Sequence, residues 1–302
     1  MHDIMDSEKI AVVHVAKYLD GNDRLCHHDC LFCMERMEPG DSNELLPTVQ
    51  EIDAALRIYV SKYGQLSKIF VAGGEPTLRR DFAEIVKTAN KYCRNIVLSS
   101  SCDYDNQDEM IKAIKMLGIK KVATSIHSHL PAVHDKLTGA EGSFERTMLS
   151  IGKLIDAGVA VTVNSVINAY NVNEMQEIIE FFSLNGLKIE KLTLTHYMNH
   201  GNAYYHRELR FNIDECSAEM SSALSRIKDV EYNVTFRDFP ICIDPRLRDH
   251  MEYTENIDII DLSAEALNVV GEKAPMLTKE KCYRCNWFND CPHYLMANYG
   301  EV

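Results

Sequence analysis

The sequence predicts an α/β protein whose parallel strands form either a partial (β/α)6 TIM-like barrel or an open doubly wound sheet. Two observations carry that prediction. Between residues 10 and 196 a short apolar run, a loop and a helix-period stretch recur, and strands that alternate with helices pair in parallel through right-handed crossovers. The repeats amount to six strands, short of the eight that close a full barrel. In either architecture the loops at the carboxyl ends of the strands carry the chemistry.

The elements follow in order. "IAVVHVA" is the first strand, and "TVQE" at Thr48 to Glu51 is a capping box that starts a helix with Ile52, Leu56 and Tyr59 on one face. "KIFVAG" is the second strand, followed by a stripe of Phe82, Ile85, Val86 and Ala89. "NIVLSS" and "KKVATSI" are the third and fourth strands, each rich in β-branched residues. Phe144, Met148, Ile151 and Ile155 make a helical face that Gly158 closes. "VAVTVNSVI" precedes a helix capped by Asn171 with Met175, Ile178, Ile179 and Phe182 inward, and "IEKLTLTH" is the sixth strand. After about residue 210 the rhythm changes to one amphipathic helix, "IDECSAEMSSALSRI", an alternating strand, "VEYNVTF", and a loop-rich tail. Two units are expected, 1–210 and 211–302.

Charge and cysteine usage narrow the function. The 32 basic and 45 acidic side chains leave a net charge of −13, whereas a nucleic-acid binder needs a basic stripe. No apolar run is long enough to span a bilayer and no signal peptide is legible, so no membrane partner and a cytoplasmic location are expected. Ten cysteines in a reducing compartment stay unpaired, and where thiols cluster there they hold metal.

"CHHDCLFC" sets Cys26, Cys30 and Cys33 in the loop after the first strand. A structural zinc takes four protein ligands and an iron–sulfur cube normally takes four thiolates. Three thiolates can hold a cube with one iron open to a ligand that is not protein, while His27 or His28 could complete a zinc shell. "VAGGEPTLRRDF" then places Gly73, Gly74, Glu75 and Pro76 at the end of the second strand. Two glycines admit close approach by a ligand, proline fixes the turn, and the carboxylate suits an ammonium group. Taken by itself, this motif also reads as an ordinary strand-to-helix turn.

Together the CxxxCxxC loop, with Phe32 just before its last cysteine, and the GGEP turn resemble the radical S-adenosylmethionine (radical SAM) enzymes over roughly residues 10 to 200. The resemblance implies a partial barrel and a [4Fe–4S] cluster on Cys26, Cys30 and Cys33, with S-adenosylmethionine on its fourth iron. It implies that Gly73, Gly74, Glu75 and Pro76 contact the cofactor's amino group, and that Ser125 and Asn164 take polar positions on strands four and five. Reductive cleavage to a 5′-deoxyadenosyl radical and hydrogen abstraction from a substrate follow, with an electron donor such as flavodoxin or ferredoxin. The chain departs from the common family pattern at strand three, where "SSSC" replaces Thr-Asn-Gly.

In the tail, Cys282-x2-Cys285-x5-Cys291 with Cys242 resembles the twitch or SPASM extension, which implies a second, auxiliary [4Fe–4S] cluster. Zinc is the alternative there, with His293 or Cys216 available. Cys216 and Cys93 read as buried packing residues. Cys102 ends strand three and reads as a buried cysteine or as a hydrogen-atom donor to a substrate radical. The histidines after strands four and six (His127, His129, His134, His196, His200 and His206) are expected at the cavity rim, with Tyr197, Tyr204 and Tyr205 as neighbours. The family analogy favours modification of a ribosomally made peptide, by cross-linking, epimerisation or oxidation, with a separate leader-peptide recognition protein where one is needed. Small-molecule dehydrogenation is the alternative, and a zinc-stapled, non-enzymatic α/β protein is the reading outside enzymes.

Overall fold

The computed structural model describes residues 8–15, 26–34, 47–199, 201–252, 257–261 and 268–270. Among these residues nine strands form one sheet: β1 (Glu8–His14), β2 (Lys68–Ala72), β3 (Ile96–Ser99), β4 (Lys121–Ser125), β5 (Ala160–Ile167), β6 (Lys191–His196), β7 (Asn233–Arg237), β8 (Ile257–Asp261) and β9 (Asn268–Val270). Their order is β7-β6-β5-β4-β3-β2-β1-β8-β9. Strands β1 to β7 pair in parallel and in sequence order, curling into a half-barrel with helices on its outside. That is the partial barrel, not the doubly wound sheet, whose strand order would reverse at a switch point. Strand β8 adds to β1 in parallel, and β9 to β8 antiparallel.

The helices are α1 (Val49–Tyr63), α2 (Phe82–Ala89), α3 (Gln107–Met116), α4 (Pro131–Thr138), α5 (Ser143–Asp156), α6 (Met175–Leu184) and α7 (Ser217–Arg226). The capping box at α1 forms as expected. The Glu51 amide donates to Thr48 Oγ1 at 3.2 Å, and the Thr48 amide donates to the Glu51 carboxylate at 2.7 Å. Ile52, Leu56 and Tyr59 are buried beneath it.

A fully covered parallel sheet reads as continuous apolar runs. Here β5 alternates instead. Val161, Val163, Ser165 and Ile167 are buried, while Thr162, Asn164 and Val166 are only half-buried. The first set packs under the helices, and the second lines the open side of the half-barrel. Strand β7 alternates likewise, with Val234 and Phe236 buried.

Six strands were expected in the barrel, and β7 is a seventh. It pairs with β6 from Lys191↔Asn233 to Thr195↔Arg237, so the sheet continues across the expected boundary at residue 210. A half-buried strand alternates like the edge of a separate antiparallel unit, and only its pairing tells the two apart.

Candidate functional site

The cysteine loop is gripped by main chain on two sides. On one, the Asp29 and Leu31 amides donate to the carbonyls of Thr138 (2.8 Å) and Leu137 (3.0 Å) at the end of α4. On the other, Asn202 donates its amide to the Cys33 carbonyl at 2.9 Å and its side-chain nitrogen to the Cys30 carbonyl at 2.8 Å. Gly201 makes that approach possible. Its φ is +59°, and a Cβ there would lie 2.5 Å from the Cys33 carbonyl oxygen. Phe32 is buried with Leu137, Tyr197, Ala203 and Leu209, and its ring meets His127 edge-on at 4.6 Å.

The three thiols are close enough to interact. Burial pushes Cys30 well above its ordinary value, and the thiols of Cys33 and Cys26, then Asp29, push it further. Clustered thiolates that repel one another are the donor set a cationic metal centre relieves. Among the described residues no three His, Cys, Asp or Glu side chains converge as the ligands of a single ion do. A cube asks for less, since each thiolate holds its own iron. His28, a candidate zinc ligand, turns its Nε2 to Asp103 at 3.0 Å.

The GGEP turn ends β2, with Gly73 at φ 92° and Gly74 at φ 55°. Glu75 is fully buried, and its carboxylate is held by donors of the protein itself. It accepts from the Thr77 amide (3.2 Å) and hydroxyl (2.6 Å), the Ser100 hydroxyl (2.9 Å), and the Ser101 amide (2.7 Å) and hydroxyl (2.8 Å). The "SSSC" run that departs from the family pattern is therefore the partner of the glutamate.

Beyond it the chain turns sharply at Cys102, which adopts φ 58° and is fully buried. Its thiol is raised to about 11 by burial, and the Tyr104 hydroxyl lies 3.5 Å from its sulfur. Asp103 follows. Burial opposes its charge, but hydrogen bonds from His28 and Arg146 prevail and hold its carboxyl well below the usual carboxylate range. The Arg146 guanidinium grips that carboxylate through Nε and, at 3.0 Å, through Nη2.

Ser125 and Asn164 stand side by side, paired in register on β4 and β5. Thr195 on β6 donates to Asn164 Oδ1 at 2.6 Å. Farther along the same wall Glu252 joins Lys191 (2.9 Å) and Arg237 (3.0 Å), with Thr193 at 3.2 Å. Three of the expected rim histidines are instead buried: His127, His134 and His196. Burial lowers His127 well below its ordinary value and brings His134 and His196 down to about 4, so all three are neutral near pH 7. Each has an aromatic neighbour that fills the space a solvated imidazole would need: Phe32 for His127, Phe144 for His134, and Phe239 for His196. Tyr197 is buried too, whereas Tyr204 and Tyr205 are exposed. His200 lies outside the described residues.

Cys216 and Cys93 are buried, as expected. Cys242 is exposed on a short turn of 3₁₀ helix, and Cys282, Cys285, Cys291 and His293 lie outside the described residues. Sequence reasoning missed Asp103, Arg146, Asn202 and Glu252. None falls in a short motif, and each has a partner 43 or more positions away along the chain, as Arg146 has in Asp103.

Comparison with known proteins bears on the same residues. Residues 24–182 match the family model described as the Radical SAM superfamily. The chain is 32% identical over 171 residues to a probable GTP 3′,8-cyclase of Thermococcus kodakarensis, covering 56% of this chain and 53% of that one. It is 31% identical over 172 residues to the GTP 3′,8-cyclase of Aquifex aeolicus, covering 54% and 52%. It thus spans about half the length of these curated relatives. The crystal structure of Streptococcus suis SuiB bound to S-adenosylmethionine superposes with a TM-score of 0.66 at 14% identity, covering 95% of this chain and 72% of that one. SuiB bound to its precursor peptide SuiA gives 0.65 at 12% identity, covering 98% and 72%. Native anSMEcpe with bound AdoMet gives 0.66 at 12% identity, covering 94% and 88%. These structural likenesses are likenesses of fold. Among the described residues no helix is long and apolar enough to cross a membrane.

Proposed function

The chain belongs to the radical SAM superfamily, and we propose that it cleaves S-adenosylmethionine reductively at a [4Fe–4S] cluster held by Cys26, Cys30 and Cys33, to take a hydrogen atom from a peptide substrate. The observation that carries this reading is the cysteine loop, three thiols within eight positions of chain clamped by hydrogen bonds to main chain at the mouth of a parallel half-barrel. When bound, the cluster and cofactor supply one-electron chemistry and a reactive carbon radical, with the electron coming from a donor such as flavodoxin or ferredoxin.

The chain's own residues position and shield. Gly73 and Gly74 let main chain approach the cofactor's amino group without a side chain in the way. Glu75 and Pro76 keep that turn rigid, since five donors satisfy the carboxylate. Ser125 and Asn164 offer neighbouring polar groups to the cofactor ribose. Cys102 keeps its thiol protonated, the form a hydrogen-atom donor requires. Phe32 and the apolar cluster around it exclude water from the back of the loop.

The peptide assignment rests on the tail, residues 211–302, where Cys242 and the Cys282-x2-Cys285-x5-Cys291 spacing resemble the twitch or SPASM extension. We assign that tail an auxiliary cluster. A second reading, radical chemistry on a nucleotide such as GTP, is favoured by the names of the sequence relatives, whose likeness covers about half of each chain.

The test is anaerobic incubation with S-adenosylmethionine and dithionite, with 5′-deoxyadenosine measured by mass spectrometry. Wild type is expected to form it and the Cys30→Ser variant to form none. Equal amounts from both would overturn the reading. Product that increases when GTP is added, and not when candidate peptides are, would move the assignment to the nucleotide.

A further inference from the structure

We infer that Asp103 is a positioning residue of the cofactor site, holding His28 and so setting where the Cys26–Cys30 segment of the cysteine loop stands. The inference rests on the reading that these cysteines hold the cluster. Main-chain clamps grip the loop at Asp29, Cys30, Leu31 and Cys33. Between Cys26 and Asp29 the loop is also held by His28, whose Nε2 donates to Asp103 Oδ2 at 3.0 Å with both side chains buried.

Asp103 is in turn fixed from behind. Arg146, on α5, grips the carboxylate through Nε and Nη2, and its Nη1 donates to the Glu141 carbonyl at 3.0 Å. Gly142 leaves room for that guanidinium: its φ is +74°, and a Cβ there would sit 2.7 Å from Nη1. The Asp103 amide donates to Ser101 Oγ at 3.3 Å, and that hydroxyl donates to Glu75. One turn at the end of β3 therefore touches both motifs, the cysteine loop through Asp103 and the GGEP turn through Ser101. Their spacing is then set by hydrogen bonds to a single short segment. Asp103 acts through His28 on the main chain between two of the cysteines; groups that orient a metal site's ligands alter its affinity by about 10- to 100-fold when removed, which sets the upper end of the effect expected here.

The experiment compares wild type, Asp103→Ala and His28→Leu, with Asp108→Asn as a control for the exposed Lys153–Asp108 pair. After anaerobic reconstitution, iron loss to a chelator is timed. The electron paramagnetic resonance spectrum of the reduced cluster is recorded with and without S-adenosylmethionine. Iron loss faster in both variants, by up to about 10- to 100-fold, with an altered cofactor-induced spectral change and a control that matches wild type, is the expected result. His28→Leu removes the donor and leaves the Asp103–Arg146 pair in place, so it decides the matter if Asp103→Ala does not fold. Wild-type iron retention and spectra in His28→Leu would overturn the inference, as would iron loss that only tracks a lower unfolding midpoint of the iron-free protein. A wild type without iron that depends on Cys26, Cys30 and Cys33 would overturn the cofactor reading and this inference together, a result distinct from failure of the inference alone.

Discussion

Glu75 shows how much one side chain holds in place. Its buried carboxylate collects five donors from two loops, and each hydrogen bond to a charged acceptor is worth about 1.5–3 kcal/mol when removal leaves the partner intact. Glu75→Gln keeps the shape, removes the charge and turns an amide NH2 toward groups that are themselves donors. We expect it to lower the unfolding free energy in urea by about 2–4 kcal/mol, the loss of one to two such bonds. Unchanged stability would contradict the network. The glutamate was legible in the sequence because GGEP is a short motif. Its partners were not, because Ser100 and Ser101 lie 25 and 26 residues away in a serine run with no template of its own.

At the scale of elements, the ends of β6 and β7 carry groups whose titration opposes one another. Burial lowers His196, at the end of β6, to about 4, and the Tyr197 carbonyl only partly offsets it. In the unfolded chain a histidine titrates near 6.5. As pH falls below that value the unfolded state takes the proton first, so stability is lost from about pH 6.5 down to about 4. Asp238, just past β7 with φ 66°, is raised to about 6, chiefly by burial, with Arg237 lowering it and Glu252 raising it. Its folded value lies above the ordinary carboxylate value of ~3.9, so it contributes stability that is gained as pH falls through 6 and is lost as pH rises. Between pH 7 and pH 5 the His196→Phe variant should lose about 2 kcal/mol less stability than wild type, and Asp238→Asn should lose more. Denaturation at the two pH values checks both, and parallel slopes in all three proteins would contradict the assignments. Strand and helix positions were largely legible, since apolar runs and the Thr48–Glu51 capping box act locally. The membership of β7 in the barrel was not, because pairing between residues 191 and 233 leaves no local mark. Nor was the burial of His127, His134 and His196, since a histidine in a strand-end loop or the helix after it has the same sequence signature whether it faces a cavity or a packed aromatic.

Across the whole molecule, the half-barrel brings to one rim what the sequence scatters. The cysteine loop lies against the end of α4, the Gly201–Asn202 turn and, through His28, the end of β3, while GGEP meets the same β3 turn. The motifs were readable because cofactor chemistry demands fixed residue types at fixed spacing. The frame that holds them was not, because it is built from main-chain carbonyls and single polar side chains that sequence does not flag. The central claim is that Cys26, Cys30 and Cys33 hold an iron–sulfur cube, and iron and sulfide counted per chain after anaerobic reconstitution test it most directly. Wild type should exceed the Cys26/Cys30/Cys33→Ala variant by about four irons and about four sulfides. Equal iron in the two proteins, or zinc in place of iron, would contradict it.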